Sequence, residues 1–175
     1  MAVDIDFKAL SLKDALDLAI LVEEEAQERY EEFVRQMEIH HTPDSAVFFR
    51  FMAANEAKHG RELAERRQTL FGDAPRAVDR SMIYDVEAPG FEQARAFMSV
   101  RDALDLAYAA ESKAWVFFDR AIPELKDPGV RGLFEELRQE EVEHQDLVKA
   151  ELAKLPADQR TGLDPDDFVD APTAQ

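Results

Sequence analysis

The sequence predicts an all-α fold: a four-helix bundle built from two duplicated helical hairpins, with a long crossover between helices 2 and 3. Three observations predict it. Four long segments carry apolar residues at helical spacing behind a capping signal. Strand signals are absent, with no alternating β-branched runs and no Asn-Gly hairpin. The chain also repeats itself: KDALDLA, from Lys13 to Ala19, returns 88 residues later as RDALDLA, from Arg101 to Ala107.

The first helix is expected from about Ser11 to His40. Ser11 caps it, and Asp14 follows in the first turn, where a carboxylate suits the helix dipole. The second runs from about Thr42 to Leu70, with Thr42 as cap and Pro43 at the first helical position. The third starts at Ser99, again with an Asp (Asp102) three residues on, and reaches about Ala121. The fourth starts at Asp127 and Pro128 and reaches about Leu155. Between helices 2 and 3 lie 28 residues, from Phe71 to Met98. That length can run the whole bundle, which an up-down-up-down arrangement would not need. The expected domain spans residues 1–155. Residues 156–175 read as a polar, Pro-containing tail, expected to be mobile or laid over a neighbour.

Composition bounds the function. With 46% apolar residues in 175, one domain with a real core is expected. No cysteine is present, so this sequence holds no disulfide, thiol nucleophile, Cys-ligated zinc or rubredoxin-type iron. A net charge of −17 argues against a nucleic-acid backbone or an anionic membrane as partner. No apolar run approaches the ~18 residues of a membrane span. The N-terminal MAVDIDFKAL lacks the basic flank and apolar stretch of a signal peptide, so a cytoplasmic protein is expected.

The seam of each helix carries the chemistry. On the first helix, positions 12, 16, 19, 23, 26, 30, 33 and 37 read Leu, Leu, Ala, Glu, Ala, Tyr, Phe, Met. This is a buried stripe with one carboxylate in its middle. The third helix repeats it around Glu111. The second gives Phe49, Met52, Glu56, His59, Leu63, and the fourth Phe134, Leu137, Glu141, His144, Val148. Depths agree as well. Glu23 lies 19 residues before the turn near Thr42 and His59 17 after it, while Glu111 and Glu141 each lie 15 from the turn near Lys126. At ~1.5 Å per residue, Glu23, Glu56, His59, Glu111, Glu141 and His144 come to one layer.

Four carboxylates in one buried layer are unfavourable unless cations or protons compensate. The seams carry no matching set of Lys or Arg at that depth. Two divalent cations balance four carboxylates with both histidines neutral. Oxygen-rich sites with one imidazole per metal suit iron or manganese, and also accept zinc.

This pattern resembles that of the ferritin-like di-iron carboxylate proteins, in which two helices give one Glu each and two give Glu-x-x-His. The closer resemblance is to the rubrerythrin-like branch. EEEAQERYEEF is similar to its first-helix motif and NEAKHGREL to its second, and the likeness covers about residues 11 to 155. It implies a ferritin-like bundle with a carboxylate-bridged di-iron centre that reacts with hydrogen peroxide or dioxygen, in oxidative-stress defence. Carried over by position, the metal ligands, catalytic through the metals, are Glu23, Glu56, His59, Glu111, Glu141 and His144. Two features depart from the branch. Its further Glu three residues after the third-helix ligand is Ala114 here, and the rubredoxin domain it commonly carries is missing from this sequence. Both departures move weight toward a ferritin-like ferroxidase or a peroxidase served by a separate electron donor; the expected function is a di-iron protein reacting with peroxide or dioxygen. The alternative is a ferritin-like ferroxidase that stores or delivers iron, and the remaining reading is a metal-free helical interaction module. A homodimer is the expected assembly.

Four residues are candidates to support the ligands. Asn55 and Glu140 immediately precede the two Glu-x-x-His glutamates and could hydrogen-bond the opposing His. Tyr30 lies in the seam two turns beyond Glu23, and Tyr108 one turn before Glu111. Trp115 reads as packing. His40 and His41 read as cations at a helix C-terminus.

Overall fold

The computed structural model describes residues 5–39, 41, 43–83, 86 and 99–156. Four long helices dominate it: α1 (Leu12–Ile39), α2 (Pro43–Phe71), α3 (Val100–Ala121) and α4 (Pro128–Lys154). Two single 3-10 turns, Arg80–Met82 and Ile122–Glu124, lie in the connections. No strand occurs among the described residues. Of the sequence expectations, His40, Thr42, most of the later crossover and the tail from 157 lie outside the described residues.

The helices begin where the capping chemistry places them. Ser11 Oγ accepts the Asp14 N–H at 3.2 Å. Ser99 and Asp102 form a full capping box: Ser99 Oγ accepts the Asp102 N–H, and the Asp102 carboxylate accepts the Ser99 N–H. Asp127 accepts from the N–H groups of Gly129 and Val130, with Pro128 at the first helical position. α2 stops at Gly72, whose φ of +54° turns the chain out of the helix while its N–H still reaches Gln68 O at 2.9 Å.

α1 packs along α2 and α3 along α4, and the pairs meet through α2 on α3 and α1 on α4. The core falls into two apolar clusters. One joins the N-terminal half of α1 (Leu16, Ile20), the C-terminal half of α2 (Leu63) and of α3 (Phe118), and the N-terminal half of α4 (Phe134, Leu137). The other joins the opposite halves: Tyr30 and Phe33, Phe49 and Met52, Leu104 and Ala107, Val148. This membership fixes the directions. α1 runs parallel to α4, and α2 runs parallel to α3. The chain leaving α2 must therefore travel back the length of the bundle before α3 can start, which is why the connection is long.

A buried ion pair anchors the start of that crossover. Asp17 of α1 is fully buried and accepts from Arg67 of α2 at 2.8 and 3.3 Å. The same guanidinium donates to the carbonyls of Gly72 and Ala74, just beyond the end of α2. Nothing in the helical periodicity signalled this contact between residues 50 apart in sequence.

Candidate metal centre

Between the two apolar clusters lies a polar layer. Each helix brings to it the groups its seam predicted: Glu23 from α1, Glu56 and His59 from α2, Glu111 from α3, Glu141 and His144 from α4. Glu56 and Glu111 are fully buried, Glu23, Glu141 and His144 nearly so, and His59 is half-buried. Close helix approach is built in at Gly60, where a Cβ would stand 3.4 Å from Glu23 Cβ.

Each histidine turns Nδ1 toward the lone glutamate of its own hairpin. In the second hairpin His144 Nδ1 lies 3.1 Å from Glu111 Oε2, and in the first His59 Nδ1 lies 4.0 Å from Glu23 Oε2. The two imidazoles stack across α2 and α4 with centroids 5.0 Å apart and planes 5° from parallel. Tyr30 crosses from α1 to α3, where its hydroxyl donates to Glu111 Oε1 at 3.0 Å.

Ligand atoms converge in three overlapping groups, each within 4.8 Å: Glu56 with His59 and His144; Glu111 with Glu141 and His144; and Glu23 with His59 and Glu140. The first two groups hold five of the six layer residues, and Glu23 enters with the third. The third adds Glu140, which sequence reasoning had placed as a support for the opposing His. Carboxylates and imidazoles at these separations are a donor set that suits a pair of iron or manganese ions and accepts zinc.

The two histidines differ in charge preference. Burial, the neighbouring His144 and Lys58 hold the His59 pKa below the usual value. For His144, burial also disfavours the cation, but the hydrogen bond to Glu111 and the charges of Glu111, Glu140 and Glu143 outweigh it, and the pKa is raised. Glu140 is raised too, first by burial and then by the carboxylates of Glu136, Glu62 and Glu143.

A cavity of about 180 Å³ reaches the layer between α2 and α4. His59, Glu62 and Arg66 line it from α2, Glu136 and Glu140 from α4, with leucines between them. Arg66 and Glu136 pair across its outer part. Of the other sequence candidates, Tyr30 alone makes a hydrogen bond within the layer. Asn55 is half-buried and makes no hydrogen bond to either histidine among the described residues. Tyr108 is half-buried with Lys149 Nζ 5.5 Å above its ring, packed on the second cluster. Ala114 is fully buried within the first cluster.

Comparison with known proteins agrees with this fold. The crystal structure of an uncharacterized conserved protein from Magnetospirillum magnetotacticum MS-1 is similar at 30% identity and a TM-score of 0.65, over 84% of this chain and 97% of that one. No curated protein matches. The rubrerythrin family profile matches residues 14–152, all four helices and the whole polar layer. The chain belongs to the rubrerythrin family.

Proposed function

We propose that the protein is a non-haem di-iron oxidoreductase that reacts with hydrogen peroxide or dioxygen. The observation that carries this reading is the convergence of four glutamates and two histidines in one layer between two apolar clusters. When bound, a pair of irons supplies paired Lewis acidity and one electron from each metal. Two electrons and two protons reduce one hydrogen peroxide to two waters, so the stoichiometry suits a two-metal site.

The chain's own groups have separable roles. Glu23 and His59 would hold one metal and Glu111 and His144 the other. Glu56, whose carboxylate lies near both histidines, and Glu141, near Glu111 and His144, would supply further oxygen ligands. Burial favours the neutral, ligating form of His59, whereas Glu111 favours the cation of His144; ligands bind deprotonated, so metal binding would release protons. Tyr30 fixes the orientation of Glu111. The apolar clusters exclude bulk water above and below. A cavity of about 180 Å³ is below the ~300 Å³ at which pockets for drug-sized ligands begin, which favours a small oxidant. With no cysteine, this sequence holds no thiolate-bound iron, and a separate electron donor completes the peroxidase cycle.

One observation favours the ferroxidase alternative: with Glu136 paired to Arg66, Glu62 and Glu140 still leave the cavity wall net acidic. Metal analysis tests the shared core of both readings. The purified, iron-loaded protein should hold two irons per chain. A protein that binds no metal, and whose melting temperature is unchanged by Glu56→Ala, would instead be a metal-free helical module.

A further inference from the structure

The duplication makes a test of symmetry possible. At an offset of 85 residues, Glu140 of α4 corresponds to Asn55 of α2, so a carboxylate occupies one of these positions and an amide the other. A Glu140 oxygen lies within 4.8 Å of ligand atoms of both Glu23 and His59. It accepts no hydrogen bond from a described residue, whereas Glu111 accepts one from Tyr30 and contacts His144. Glu140 also faces the cavity, as does His59.

The walls of that cavity break the symmetry in the same sense. Glu136 and Glu62 line it, and their counterparts in the repeat are Phe51 and Leu147. The approach to His59 carries Glu62 and Glu140 beside the Arg66–Glu136 pair, while the positions matching Glu62 and Glu136 are apolar. Among the histidines, His144 is the more buried, with 7% of its side chain accessible against 15% for His59.

Resting on the two-metal reading above, we propose that Glu140 is a seventh metal ligand, belonging to the His59 site, and that this site exchanges its divalent cation with solvent through the α2–α4 cavity. The His144 site, closed by Glu111 and Tyr30, retains its cation. Ala114 gives α3 no second carboxylate one turn beyond Glu111, and Glu140 brings one from α4 to Glu23 and His59. A half-buried carboxylate at the inner end of the cavity can capture a hydrated cation before the fully buried ligands close on it.

The test is a titration of metal-free protein with Co(II), followed by calorimetry and by visible absorption. Wild type should bind two Co(II) in two unequal steps. Glu140→Gln keeps the size of the side chain and a hydrogen-bond acceptor for His59 but removes the anionic ligand. It should weaken the second step by about tenfold or more, leave the first within about twofold, and change the absorption band of the second equivalent only. Chelator should strip one Co(II) from wild type faster than the other, and Glu62→Gln, in the cavity wall, should slow both its uptake and its loss. A Glu140→Gln protein with both steps and both bands like wild type would overturn the proposal, as would equal weakening of both steps. Wild type binding no Co(II) would bring down the two-metal reading itself, whereas two bound Co(II) unaffected by Glu140→Gln would leave that reading standing. Circular dichroism of each variant verifies that the bundle is intact.

Discussion

Tyr30 of α1 corresponds to Phe118 of α3, and Arg67 of α2 to Leu152 of α4. In the first hairpin Tyr30 reaches out to the ligand of the other, while Phe118 stays within its apolar cluster against Phe134. Asp17 lies buried under Arg67, whereas its counterpart Asp105 is half-buried and pairs locally with Arg101, four residues away. The two hairpins share their layer of Glu and His residues and differ in what holds it. Duplication supplies a near-symmetric layer of glutamates and histidines, while the first hairpin alone carries the Asp17–Arg67 anchor and α2 and α4 present different side chains to the cavity between them.

The largest expected effect tests the shared part. Glu23→Ala and Glu111→Ala should each cut metal content sharply, because each removes an oxygen ligand from one hairpin. Two metals per chain retained in both variants would refute the ligand assignment. Next, Asp17→Ala and Asp105→Ala should separate by size. The first strands a buried guanidinium and should lower the melting temperature by several degrees. The second removes a half-exposed local pair and should move it little. Equal shifts would show that the Asp17 clamp does not hold the crossover.

A smaller effect is expected for Tyr30→Phe in metal-free protein, about 1.5 kcal/mol in urea denaturation, for a buried hydrogen bond to a carboxylate. No change would mean that the Tyr30–Glu111 contact contributes nothing to stability. The smallest effect is the pH dependence of the metal-free protein. Glu140 and His144 have folded pKa values above their ordinary 4.5 and 6.5, so the stability they contribute is full below those values and is lost as pH rises through the folded pKa. His59 has the opposite sign: its contribution is full above 6.5 and is lost as pH falls. From pH 6.5 to 8 only losses remain, and metal-free protein should melt lower at pH 8. Metal ligands bind deprotonated, so the stabilisation by metal should widen over that range. A metal-free form most stable at pH 8 would contradict a single buried cluster of these groups.

Much of this was legible in the sequence because it depends on local rules. Ser11, Ser99, Asp127 and Pro128 mark helix starts through contacts two or three residues away. The 4–3 spacing around Glu23 and Glu111 placed both on buried seams, and the equal distances to the turns placed the layer. What remained hidden depends on how helices meet. The Asp17–Arg67 clamp joins two helix faces whose register no periodicity specifies. Glu140 sits one residue off the seam, and only the crossing of α4 over α1 and α2 brings it to Glu23 and His59. The cavity is a gap between side chains, which hydrophobic patterning cannot register. Tyr108, by contrast, has the right depth but faces Lys149.

The central claim is that this layer is a two-iron centre turned toward peroxide. Its most direct test is stopped-flow mixing of the reduced, iron-loaded protein with hydrogen peroxide and, separately, with dioxygen, alongside iron analysis. The account predicts faster oxidation by peroxide, with iron content staying at two per chain. Faster oxidation by dioxygen, with many irons accumulating per chain on continued Fe(II) addition, would contradict it and establish the iron-storing alternative.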